Sequence, residues 1–134
     1  MSDYLNIKMP ERELGTISTL GLAHVGDGVY ELMVRSWIAC RGRLKPSDMH
    51  RETVKYVRAP AQAEAAERIS DMLTEAERAE YRRGRNAHVN SVPKSAQIGQ
   101  YHAATALECL FGWLYLRGER ARLNEIFEKI MENE

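Results

Sequence analysis

Long apolar runs interrupted by single polar residues define this chain. The longest, LGLAHVGDGVYELMVRSW from Leu20 to Trp37, has no proline and carries Gly-Asp-Gly at its middle. On a helix, residues three and four apart share a face. Asp27 then falls on one stripe with Leu20, Ala23, Tyr30, Glu31 and Val34. An acid in such a stripe is costly if buried and unpaired. The run AATALECLFGWLYL, Ala103 to Leu116, repeats the anomaly with Glu108 as its one charged residue. Its helical neighbours Ala104, Thr105, Phe111 and Gly112 cannot neutralise it. Two readings fit. The acids share one site, with a divalent cation as a candidate partner, or each is held separately by an arginine or a backbone amide.

The same pattern predicts helices along the rest of the chain. Residues 1–17 mix charge with Pro10 and Gly15 and read as a loose lead-in, leaving 18–134 as a single domain. Ser18 or Thr19 is the expected N-cap of a helix running to about Cys40, with Gly42 just beyond. A small basic cluster follows at Arg41, Arg43 and Lys45. Pro46-Ser47-Asp48 opens a helix to roughly Arg58, Pro60 interrupts it, and Ala65, Ile69, Met72 and Leu73 recur at helical spacing. Thr74 with Glu77 is a capping-box pattern. The Glu108 helix is expected to begin between Ser95 and Tyr101 and to end near Gly118. Leu123, Ile126, Phe127, Ile130 and Met131 form one face of a final amphipathic helix. No strand pattern, repeat or low-complexity tract is evident, so the fold class is all-α.

Composition narrows the function. With 134 residues, 44% of them hydrophobic, the chain can form one packed core. Nineteen Lys and Arg balance nineteen Asp and Glu, so any basic surface must be local. From Tyr81 to Leu107 there is no acidic residue, while Arg82, Arg83, Arg85, Lys94, His88 and His102 all lie there. Its middle, GRNAHVNSVPKS, is at least partly loop. This stretch is either a solvated surface or the place where phosphates are contacted. Cys40 and Cys109 form no CxxC and read as small core residues of a reducing compartment, a pairing being left open. The N-terminus lacks a signal-peptide layout, and no apolar run reaches the roughly 20 residues of a membrane span. We expect a cytoplasmic protein with no membrane association.

Candidate chemistry is confined to a few residues. The four histidines show no zinc spacing, and no Ser-His-Asp or Cys-His arrangement competes. His24, one turn before Asp27, could tune it or simply pack. Glu31, four residues before Arg35, suits a surface ion pair or a supporting role beside a metal. Tyr30, Trp113 and Tyr115 read as core or dimer-interface aromatics rather than base-stacking platforms.

LAHVGDGVYELMVR resembles the leading motif of the ribonuclease III catalytic domain, in the form seen in Mini-ribonuclease III. RRGRNA followed by PKS, and then YHAATALECLFGWLYLRG, resemble that family's other two blocks, in order, over about residues 18–118. The chain ends right after these blocks, as expected of the Mini form, which lacks a double-stranded-RNA-binding domain. The resemblance implies a helical domain of about six to seven helices. It also implies a homodimeric endoribonuclease that cuts double-stranded RNA with Mg²⁺ (Mn²⁺ being an alternative ion), leaves 5′-phosphate ends and matures the large-subunit ribosomal RNA precursor. Asp27 falls on the family's catalytic aspartate and Glu108 on its late metal-binding glutamate, so both are implied as catalytic residues and metal ligands. Arg82, Arg83, Arg85 and Lys94 are the candidate RNA contacts, with Glu31 and His24 as possible support around the metal. Ala23 and Thr105 replace two further acids of ribonuclease III proper, so the number of ions is open and most of an octahedral shell would be water and phosphate oxygen. The same two replacements favour an alternative, a helical RNA-binding or assembly module that does not cut. Retention of Asp27 and Glu108 favours the enzyme.

Overall fold

The computed structural model describes residues 2–42, 44–87 and 97–134. Seven α-helices are seen among them: α1 (Glu11–Leu14), α2 (Thr19–Arg41), α3 (Pro46–Val57), α4 (Ala59–Ile69), α5 (Glu75–Arg85), α6 (Ile98–Arg117) and α7 (Arg120–Ile130). A 3₁₀ turn, Ser70–Met72, follows α4. No strand occurs among the described residues. Arg43 and residues 88–96, with His88 and Lys94, lie outside them.

Local chemistry sets most helix starts. Ser18 caps α2 by accepting from the Gly21 N–H at 3.0 Å. The Thr74–Glu77 capping box has both its bonds, 3.2 Å and 2.9 Å. Between α3 and α4 the chain turns at Arg58, whose backbone is extended. Pro60 therefore lies in the first turn of α4, where its missing N–H costs nothing.

α6 is apolar on every side because it is the central helix, with α2, α4, α5, α7 and α1 packed around it. Tyr30 of α2 meets Phe111 of α6 edge-on at 5.2 Å and Phe127 of α7 at 6.2 Å, joining three helices in the main core. Leu123, Ile126, Phe127 and Ile130 bury one face of α7, and Met131 extends it.

Two expectations are corrected. The first 17 residues are not a loose lead-in: the Met9 N–H donates to the Leu116 carbonyl at 2.7 Å, and buried Leu14 packs with Leu22, Cys109 and Leu116. Apolar residues spaced among charges close the second cluster against the distant end of α6. Cys40 is exposed rather than a core residue, and only Cys109 is buried; neither forms a disulfide. Cys40 lies two residues from buried Ile38, and so on nearly the opposite side of its helix.

Candidate active site

The buried line of α2 runs through Leu22, Ala23, Gly26, Tyr30, Val34 and Ile38. Asp27 stands at its edge and is exposed, not buried as the stripe suggested, and Leu20 is exposed as well. Gly26 carries the line past Asp27. A Cβ there would lie 1.6 Å from the Glu108 carbonyl oxygen, and one at Gly112 would lie 2.0 Å from the Leu22 carbonyl oxygen. The backbones of α2 and α6 thus touch, and the residue after Gly26 is delivered to the side chain of Glu108.

Glu108 is half-buried. Burial, and then the charge of Asp27, push its carboxyl from 4.5 up to about 8. A proton held there is shared with Asp27. Gln62 of α4, only 2% exposed, partly offsets this by donating from Nε2 to Glu108 Oε2 at 3.5 Å. The same Nε2 donates to the Val57 carbonyl at 2.7 Å, while Oε1 is buried without a partner.

Two carboxylates that repel each other, beside an unpartnered amide oxygen, fit a hard cation with oxygen ligands. Ala23 and Thr105 are buried, and the Thr105 hydroxyl donates to the Tyr101 carbonyl at 3.1 Å. Among the described residues no group of three His, Cys, Asp or Glu side chains converges. Asp27 and Glu108 would be the protein's acidic ligands. Glu31 pairs with Arg35 at 2.8 Å, the surface ion pair its spacing allowed. His24 is exposed, without the packing role considered for it.

The Ribonuclease III domain model matches residues 20–119, a span that contains both acids. The chain belongs to the ribonuclease III family. It is 46% identical to a Mini-ribonuclease 3 of Thermoanaerobacter sp. (strain X514) over 113 residues, 84% of this chain and 80% of that protein. A Mini-ribonuclease 3 of Symbiobacterium thermophilum is 42% identical, covering 84% of this chain and 87% of the relative. In three dimensions it resembles a crystal structure of a Fusobacterium nucleatum protein, with a TM-score of 0.80 and 26% identity over 90% of this chain and 96% of the other. The chain is therefore a ribonuclease with an all-α domain.

On this ribonuclease III domain the basic stretch divides into two faces. Arg82, Arg83 and Arg85 are all exposed at the end of α5. Gly84 seats that end on α6, since a Cβ would come within 2.7 Å of Cys109 Cβ. Arg82 and Arg85, together with Arg78, line a groove of about 1100 Å³ between α4, α5 and the start of α6. Arg83 instead pairs with Glu80 at 3.0 Å. Lys94 lies outside the described residues. Acid-free in sequence is not acid-free in space, because Glu67 from α4 lines the same groove. The sequence reading passed over Arg78 and Gln62. The spacing of residues 78, 82 and 85 was a usable signal for the first; the second had no local signal.

A second groove, about 400 Å³, is mainly apolar and lined by Leu5, Val25, Val29, Leu32, Met33 and Tyr115 among others. Leu32 is 54% exposed. Among the described residues no helix is long and apolar enough to cross a membrane.

Proposed function

We propose that this ribonuclease is a Mg²⁺-dependent endonuclease of double-stranded RNA, acting as a homodimer in the cytoplasm on the large-subunit ribosomal RNA precursor. The observation that carries the reading is the convergence of Asp27 and Glu108 from α2 and α6. Asp27 is exposed to an approaching phosphate, and Glu108 lies deeper beside it. Their two charges would hold one divalent cation, with water and phosphate oxygen completing its shell. Bound Mg²⁺, or Mn²⁺ in its place, supplies a Lewis acid that offsets charge on the scissile phosphate and orders a water for in-line attack. Hydrolysis leaves 5′-phosphate and 3′-hydroxyl ends.

The remaining parts follow from the surfaces. Arg82 and Arg85 contact phosphates, aided by Arg78 and by Lys94, with Arg83 contributing less while paired to Glu80. Such contacts read the shape of an A-form duplex rather than its base edges. The apolar face around Leu32 is covered by a second copy through a two-fold axis, which sets two centres on opposite strands.

The test is cleavage of an end-labelled duplex, and of each strand alone, with Mg²⁺ or with EDTA. Duplex cutting that requires Mg²⁺ and is lost in Asp27→Asn is expected. Equal cutting of single strands, or duplex cutting in EDTA, would refute the proposal.

A further inference from the structure

Gln62 is a buried polar side chain in the alanine-rich α4. A buried polar atom without a partner is costly, and Gln62 keeps one at Oε1. Its amide cannot turn over to relieve this. The Val57 carbonyl, 2.7 Å away, can only accept, so the nitrogen end must face it. The second N–H of Nε2 then points to Glu108 Oε2 at 3.5 Å. Oε1 remains as a fixed acceptor on the side chain that touches Glu108. Tying α3 to α4 would account for the Val57 bond alone. It leaves both the contact with Glu108 and the free Oε1 unexplained.

We infer that Gln62 is a positioning residue of the nuclease centre, holding Glu108 through one amide hydrogen and offering Oε1 as acceptor to a water bound to the cation. The inference rests on the reading of Asp27 and Glu108 as a divalent-cation site. Groups that orient a metal's ligands and waters are characteristically worth about 10–100-fold in affinity or activity. Gln62 acts through Glu108 and water, not on the phosphate.

The test uses Mn²⁺, which is visible by electron paramagnetic resonance, titrated into the full chain without RNA. Wild type should bind it and Asp27→Asn should not; equal binding by both would overturn the cation-site reading, and this inference with it. Given that difference, Gln62→Met, which keeps the volume and removes both polar ends, should weaken Mn²⁺ binding about 10–100-fold. Its kcat on duplex RNA should fall comparably, with KM within about twofold of wild type. Gln62→Glu keeps an oxygen at the Oε1 position and adds charge, so Mn²⁺ should bind more tightly. A Gln62→Met variant with wild-type Mn²⁺ affinity and kcat overturns the inference, whatever its melting temperature. If that variant does not fold, Gln62→Glu decides, and unchanged Mn²⁺ affinity there is equally fatal.

Discussion

Replacing Glu108 with glutamine should separate activity from stability. In the metal-free protein Glu108 holds its proton up to about pH 8, against 4.5 normally. Between those values the native state binds a proton that the unfolded chain has released, so stability falls as pH rises through the window. At ~1.4 kcal/mol per pH unit, the full displacement caps the loss at ~5 kcal/mol. Glu108 is half-buried, and solvent screening brings the expected effect to ~1–2 kcal/mol, or about 3–8 °C in Tm. The carboxamide of Glu108→Gln does not titrate and does not repel Asp27. The assay is thermal unfolding of wild type and variant in EDTA at pH 5.5 and 8.5. The informative quantity is variant minus wild type, which cancels the other titrating groups. That difference should be more favourable to the variant at pH 8.5 than at 5.5. Adding Mg²⁺ at pH 8.5 should raise the wild-type Tm more than the variant's, because a cation that binds only the native state stabilises it. Cleavage should be nearly abolished throughout. A difference independent of pH, or a variant that cuts at close to the wild-type rate, would refute the electrostatic pairing of Glu108 with Asp27.

Three other outcomes are expected. Arg82→Gln and Arg85→Gln should each weaken duplex binding similarly for all sequences, reduce its salt slope by about one and raise KM more than they lower kcat, with Arg83→Gln milder; filter binding from 50 to 200 mM salt measures this. Leu32→Asp, placing a charge on the exposed apolar face, should give a monomer by sedimentation and lose cutting of both strands. Gly26→Ala would drive its methyl into the Glu108 carbonyl; a loss of about 3 kcal/mol or more, or no folded protein, should appear in urea unfolding.

Much of the fold was legible in the sequence because its signals act within a turn or two. Ser18, the Thr74–Glu77 box and the spacing of Leu123, Ile126, Phe127 and Ile130 each exert their effect on residues three or four away. Asp27 and Glu108 were legible as a pair of oddities, each the wrong residue for its run, and the resemblance put both in one site. Only the tertiary structure decided the rest. Neighbours on the chain show neither that Gly26 and Gly112 let two backbones touch, nor that this exposes Asp27 while half-burying Glu108. Arg83 was separated from Arg82 and Arg85 by the way Gly84 seats α5 on α6, and Leu14 was drawn into the core by the far end of α6. Gln62 joined Glu108 across helices from different parts of the chain. Helix formation depends on interactions a few residues apart, so sequence alone determines it. Burial, proton affinity and the company of a charged group depend on which helices pack together, and that is settled only when the chain closes on itself.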